Sequence, residues 1–453
     1  FFDSLSFGTG ENPVETMIKK NGKDTQSSFL LPTLQEMLDQ RQRLCRLAKA
    51  IDWQSFEKEF GENYSEGKGA PAKPIRLMVG LLILKQMHDL SDDDVVSQWV
   101  QNPYFQFFTG ETEFRWSLPI DPSSLSRFRG RIGEGGCEVV FAESIRLHGK
   151  KAKEKTVMTD TTVQEKNITF PTDAKLHRKI AEKCVAVAEK EGIKLRRSCR
   201  RTLPALMKLQ HNRRNPKRAK GARASSRKLK TIAGSLVREL RRKLPADKLS
   251  LYEEDFELCD KVLAQKRSDK NKIYSLHETE VSCIGKGKAH KKWEFGQKAS
   301  ITRTYASGII VGVKSFRGNV GDAQTLDPVL AQVEKLTGAR PKQCLADRGY
   351  RGKKTVGETK ILIPGRPKAN ATAYEKSRDR KRFRKRAGIE PVIGHLKSDY
   401  RLGRNFLKGL QGDSINLLMA ATASNFRKWI NGSFFRLYLR VWAVLQFNAS
   451  KTA

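Results

Sequence analysis

The apolar positions fall into blocks of different period. Leu34, Met37, Leu38 and Leu44 recur at helical spacing, so Leu31 to Phe60 is expected to be helix. A Gly/Pro/Lys linker, Gly67 to Lys73, follows. Pro74 opens a second helix in which Leu77, Met78, Leu81, Leu82 and Leu84 make a wide apolar face. Ser91 with Asp94 reads as a capping box for a helix carrying Val95, Val96, Trp99 and Val100, which Asn102-Pro103 ends. Tyr104, Phe105, Phe107 and Phe108 should pack these helices together. Asp121-Pro122 starts another helix that runs toward His148 and is expected to display Arg127, Arg129 and Arg131.

The period then changes. β-branched residues crowd Lys155 to Phe170 and predict two strands. Helical sequence resumes at Asp173 and runs to about Lys266. Strand character returns over Ile273 to Val313, with turns at Gly285-Lys286-Gly287 and Ser307-Gly308. Asp327 to Leu336 is expected to be helical, Gln343 to Ala346 a short strand and Ile361 to Pro364 a short apolar segment. Helices follow Ile389, the last apolar one spanning Ile415 to Ile430. The order predicts an α/β core with a helical insertion, preceded by an all-helical domain. The expected boundaries are an arm and helix over 1–72, a helical domain over 73–150, an α/β domain over 151–432 with a basic helical insertion at about 174–270, and a tail over 433–453.

Charge sharpens this picture. The 453 residues carry 87 Lys and Arg against 49 Asp and Glu, a formal net charge of +38. Such a field attracts nucleic acid or an anionic membrane surface. The membrane is the weaker partner, because the apolar stretch Phe434 to Phe447 is interrupted by Arg436 and Arg440 and is too short to span a bilayer. Lys194 to Lys243 holds 19 Lys and Arg against one acid, Glu239. A solvated face would mix signs, so this block is expected to lie along phosphates. The short helices ending in an Arg-bearing one suit a helix-turn-helix-like element on double-stranded DNA. Seven scattered cysteines with no C-x-x-C pair argue against a zinc ribbon and fit a reducing cytoplasm. No secretory signal is evident, and no P-loop or Rossmann glycine pattern indicates nucleotide use. The chain begins at Phe1 rather than Met, as a fragment or a reading frame with a lost start would.

Against this background three acids stand out. Asp160 follows the β-rich run Thr156-Val157-Met158-Thr159. Asp347 ends Cys344-Leu345-Ala346 and opens Arg348-Gly349-Tyr350. Glu390 lies four residues after Arg386 and seven before Lys397. Carboxylates on a strand, at a strand end and at a helix start can hold Mg²⁺ or Mn²⁺, and two such ions can clamp an in-line phosphoryl displacement. Glu390 and Lys397, two helical turns apart, lie on one stripe, with Pro391 expected as the first helical residue. Asp322 reads as a turn residue or a partner to the acids. His277 and Glu278 read as edge-strand polar residues, His395 as structural or DNA-facing, and Trp293 and Phe295 as sheet packing.

From Thr156 to Trp429 the chain resembles the bacterial insertion-sequence DDE transposases of the IS-four/IS-five superfamily. The first acid matches within Thr159-Asp160-Thr161-Thr162-Val163 and the second within Ala346-Asp347-Arg348-Gly349-Tyr350. The third matches the family signature Tyr-x2-Arg-x3-Glu-x6-Lys, here Phe383-x2-Arg386-x3-Glu390-x6-Lys397. Phe383 replaces the family Tyr, so no hydroxyl is offered to phosphate there, while stacking on DNA remains open. The resemblance implies an RNase H-like (retroviral-integrase-like) core with Asp160, Asp347 and Glu390 as catalytic metal ligands. It also implies two Mg²⁺ or Mn²⁺ ions, DNA held by Arg386 and Lys397, and a homodimer that pairs two transposon ends. The activity implied is cleavage at inverted repeats followed by strand transfer. Two rival expectations are a transposase-derived DNA-binding protein without catalysis and a nuclease that cuts without rejoining.

Overall fold

The computed structural model describes residues 32–62, 64, 72–211, 213–266, 268–285, 291–366 and 370–449, with side chains to residue 432. The arm over 1–31, most of the linker, the Lys286-Gly287 turn and the side chains of the tail lie outside the described residues.

The expected helix from Leu31 to Phe60 is three helices, Leu34–Met37, Arg43–Ala50 and Trp53–Gly61. Caps inside the stretch cut it. Thr33 forms a capping box with Glu36, Gln42 accepts from the Leu44 amide, and Asp52 accepts from the Ser55 amide. The next helix, Ile75–Met87, has 11 of its 13 residues buried, so it is a core helix rather than one with a single apolar face. Ser91 and Asp94 form the expected capping box of Asp92–Gln101. Asn102 then caps Pro103–Thr109, whose Phe105 and Phe108 are buried. Pro122–Arg146 bends at Gly133, where φ is +60°.

Among the described residues seven strands follow: β1 (Thr156–Glu165), β2 (Ser282–Gly285), β3 (Trp293–Thr304), β4 (Ile310–Phe316), β5 (Gln343–Leu345), β6 (Thr355–Val356) and β7 (Thr359–Leu362). Residues 155–170 thus hold one strand where two are predicted. The strand order runs β3-β1-β5-β7-β6, with β4 on the other side of β3. β1 and β5 are parallel, pairing Thr156 with Gln343 and Met158 with Leu345. β5 and β7 are parallel as well, and β6 returns antiparallel to β7. Val157, Met158 and Thr159 are all buried, as a central strand covered on both faces requires. The architecture is mixed α/β with a helical N-terminal region.

Two compact units divide the chain. Residues 1–164, 299–316 and 320–453 form the first, and 165–298 with 317–319 the second. The expected break near residue 150 is not a break between units: the helices before it and the sheet share one apolar core, and Pro122–Arg146 packs along the last helix, Gly409–Ala449. The second unit has a core of its own. Helices Asp173–Lys190, Pro216–Lys243 and Ala246–Ala264 bury Ile180, Leu229, Leu236, Tyr252 and Phe256 against one another. It also takes in β2 and the first half of β3, so it is wider than the predicted helical insertion.

Arg129 corrects an expectation. It is buried, and its guanidinium donates to both Asp92 oxygens at 2.7 and 2.6 Å. Helical geometry explains why: residues two apart point about 200° away from each other, so Arg127, Arg129 and Arg131 cannot share a face. Arg127 is exposed, donating to Ser123 and Ser124 on its own helix, and Arg131 lies 4.7 Å over the Tyr64 ring. Lys85 donates to Asp92 from a third side at 2.7 Å, and burial brings its ammonium down to about 8. Removing the shared acid would strand two buried cations. Asp92→Ala is therefore expected to cost about 3–5 kcal/mol in a urea unfolding titration.

Candidate active site

Each acid stands just beyond a fully buried apolar residue. Met158 on β1, Leu345 on β5 and Ile389, the first residue of helix Ile389–Asp399, form one small cluster with no solvent exposure. In a strand the side chains two residues on share a face, so Asp160 follows Met158 and Asp347 follows Leu345. The parallel register pairs Met158 with Leu345, which brings Asp160 and Asp347 to the same level. Glu390 follows Ile389 directly and is the second helical residue, with Pro391 the third rather than the first.

The local hydrogen bonds fix the two aspartates. The Thr161 amide donates to Asp160 Oδ1 at 2.8 Å, and the Gly349 amide donates to Asp347 Oδ1 at 2.8 Å. Glu390 is freer, its side chain 67% exposed. Arg386 ends helix Ala373–Arg386 and reaches both remaining carboxylates. Its guanidinium lies 3.5 Å from Asp160 Oδ2 and 3.7 Å from Glu390 Oε1. Burial raises the Asp160 carboxyl above its ordinary range. The Thr161 amide and Arg386 oppose the rise, while the charges of Asp347 and Glu390 add to it. Asp160 therefore feels both of the other predicted acids.

Among the described residues, no three acidic, His or Cys side chains converge on a single point. The acids instead surround Asp160, which feels both of the others. A part-buried carboxylate under like-charge pressure, with further oxygen donors beside it, fits a hard divalent cation, because Mg²⁺ takes few protein carboxylates per ion.

The remaining predicted residues divide. Lys397 sits half-buried on the Glu390 helix. Phe383 is half-buried and packs against the Met158–Leu345–Ile389 cluster. His395 pairs with Asp399 at 2.9 Å on the exposed face. Glu278 is no edge residue: it is buried against Lys166 at 3.3 Å. Trp293 is 46% exposed, opposite Gly285 on β2, rather than packed in the sheet. Sequence reasoning missed helix Ala373–Arg386, whose side chains are all at least partly exposed and which therefore shows no apolar period. It also left open Asp322, which begins helix Asp322–Thr337 and accepts from Thr161 Oγ1 at 2.8 Å.

The inserted unit presents a basic surface of its own. Lys217, Arg218, Lys220, Lys228 and Lys230 are exposed on Pro216–Lys243. A groove of about 1020 Å³ is lined by Arg213, Arg214, Arg223 and Arg227 together with Tyr274 and Trp293. Among the described residues no helix is long and apolar enough to cross a membrane.

One acid within a strand and another just beyond the end of its neighbour, in a strongly basic chain, fit a protein that acts on polyanions. Comparison with known families agrees. The Transposase DDE domain matches residues 265–426, a span that includes Asp347 and Glu390 and begins after Asp160. A Transposase domain (DUF772) matches residues 32–131. The uncharacterized protein ORF8 in the nfe locus of Rhizobium meliloti is 44% identical over 170 residues, 36% of this chain and 82% of that protein. No solved structure matches. The chain belongs to the DDE transposases, of the kind typical of IS-four insertion sequences, whose chemistry is phosphoryl transfer and which generally use divalent metal.

The raised Asp160 carboxyl gives a pH test. The folded protein holds that proton more tightly than the unfolded chain, so ionising Asp160 costs stability as pH rises through the ordinary carboxylate range and beyond. In metal-free buffer Asp160→Asn is expected to melt above wild type at pH 7. The gap should close as pH falls below about 4. A gap that is absent at pH 7, or that widens in acid, would contradict the electrostatic account.

Proposed function

We propose that this protein cuts DNA at the inverted repeats of a mobile element and joins the freed 3′-hydroxyl to target DNA. In this reading Asp160, Asp347 and Glu390 form the catalytic set on an RNase H-like core. The observation that carries it is the buried Met158–Leu345–Ile389 cluster, from which the three acids project as immediate or next-but-one neighbours. The strand order, with two parallel pairings around a central β1, β5 and β7 and strands β3 and β4 beyond β1, supports the RNase H-like reading.

Asp160, shared between the other two acids, would hold both Mg²⁺ or Mn²⁺ ions, with Asp347 and Glu390 each holding one. The ions supply charge neutralisation at the attacking and leaving oxygens of an in-line displacement. The chain's own groups do the rest. Arg386 balances Asp160 and Glu390 and, being a planar fork, can turn to a phosphate of the scissile strand. Lys397 adds a cation on the same helix as Glu390. Arg127 is the one member of its trio that is fully exposed and able to reach a DNA backbone. The basic groove and helix of the inserted unit supply sequence-independent phosphate contacts. Water and a DNA 3′-hydroxyl attack phosphorus in the same geometry, so one site can serve cutting and joining. Two ends must be paired, which calls for a homodimer working on bacterial DNA in the cytoplasm.

Purified protein with duplex DNA carrying the element's own ends tests the reading. Mg²⁺-dependent cleavage and joined products are expected, with chelation abolishing both. Alanine at Asp160, Asp347 or Glu390 should lower cleavage by about a hundredfold or more while end binding persists. Wild-type cleavage by any one variant would remove that acid from the site. Protein that binds ends and never cuts them would favour a DNA-binding role without catalysis, and cut ends without joined products would leave only a nuclease. For the inserted unit, Arg223→Glu with Arg227→Glu should weaken binding to any duplex sequence alike. The slope of log affinity against log salt should become shallower by about one for each phosphate no longer neutralised.

A further inference from the structure

A fourth carboxylate lies behind the two aspartates and touches the partner of each. Asp322 Oδ1 accepts from the Thr161 hydroxyl at 2.8 Å. Thr161 in turn gives its amide hydrogen to Asp160 Oδ1. On its other side, Asp322 Oδ2 fills the space beside Gly349. A Cβ built on Gly349 would lie 2.7 Å from that oxygen and 3.0 Å from Asp347 Oδ1. Gly349 in turn gives its amide hydrogen to Asp347 Oδ1.

The glycine is informative because its backbone does not demand one. Gly349 is not among the residues with positive φ, so an L side chain would suit its conformation. What excludes a side chain is the pair of carboxylate oxygens. Asp322 also stands in the first turn of helix Asp322–Thr337, where the unpaired amides favour a negative charge. The buried Tyr350 phenol beside it is raised chiefly by burial, and further by the charges of Asp160 and Asp322. Asp322 thus joins three pieces of chain far apart in sequence: strand β1 after the first acid, the turn after the second, and the helix leading into β5.

We propose that Asp322 is a positioning residue that fixes the separation of Asp160 and Asp347, and that Gly349 is glycine to make room for it. Asp322 holds Thr161 by its hydroxyl and abuts the Gly349 turn, and through these two residues it sets where the aspartate oxygens point. It contacts no reacting atom. This rests on the reading of Asp160 and Asp347 as metal-holding acids, and it gives a specific role to a residue that the sequence left open between a turn and a partner to the acids.

The test uses the full chain and two readouts: Mn²⁺ binding by calorimetry without DNA, and cleavage of end DNA at saturating Mn²⁺. Asp322→Ala is expected to weaken Mn²⁺ binding or lower kcat by about 10- to 100-fold, with KM for end DNA unchanged. Asp322→Asn keeps an oxygen for the Thr161 hydroxyl and should recover most of the loss. Thr161→Val, which removes only the hydroxyl, should reproduce part of it and serves if Asp322→Ala does not fold. Gly349→Ala should resemble Asp322→Ala. Their combination should be no worse than either alone, because the added methyl then enters vacated space. Wild-type Mn²⁺ affinity and kcat in both Asp322→Ala and Thr161→Val would overturn the proposal, as would full additivity in the double variant. If wild type binds Mn²⁺ and never cuts DNA, the transposition reading fails while the calorimetry still decides the role of Asp322.

Discussion

Three buried side chains, Met158, Leu345 and Ile389, are the point on which the functional geometry turns. They come from a central strand, a short neighbouring strand and a helix more than 40 residues further on. Each is followed within two residues by an acid. Burying an apolar side chain of this size stabilises by roughly 1.5–3 kcal/mol, while bringing carboxylates together costs energy. The apolar contact lies directly beneath the like charges it holds in place. The parallel pairing of Met158 with Leu345 does the rest, because a one-residue slip of one strand against the other would put the two aspartates on opposite faces.

The acids sit in a chain of high positive charge, and that surplus is not uniform in role. Arg129 and Lys85 act inside, neutralising Asp92 in the helical core. Arg386 acts at the site, between Asp160 and Glu390, where it opposes the rise that burial, and secondarily the neighbouring acids, impose on Asp160. The exposed cations of Pro216–Lys243 and the groove beside it form a third group, and these remain open to an external polyanion. Local strain of this kind, with like charges held close and partly desolvated, is characteristic of sites whose function requires it.

The inserted unit makes such division possible. It carries its own apolar core, so its basic helix is positioned by Leu229, Leu236 and Tyr252 rather than by charge. The first unit is likewise self-sufficient, with the N-terminal helices sharing the apolar core of the sheet. The family comparison cuts across this division: the DDE match starts at residue 265, inside the second unit, and leaves out Asp160, which lies on the same sheet as β5.

Local chemistry wrote much of this plainly. The capping box of Ser91 and Asp94, the Asp121-Pro122 helix start and the short strand before Asp347 follow from neighbouring residues, and each was readable in order along the chain; Asn102-Pro103 read as a helix end and proved also to cap the next helix. So was the grouping of Asp160, Asp347 and Glu390, through motifs short enough to recognise. Facing was another matter. Arg127, Arg129 and Arg131 look alike in sequence, yet helical rotation and the position of Asp92 bury one and expose another. Nothing local to Phe383 shows that its half-buried ring also packs against Met158, Leu345 and Ile389. Asp322 looks like a turn residue, because its partners Thr161 and Gly349 lie 161 and 27 positions away. Sequence determined which residues are charged, apolar or turn-forming and where elements begin. Only the tertiary structure decided which of them meet, because long-range burial and strand register, not local propensity, choose the partners.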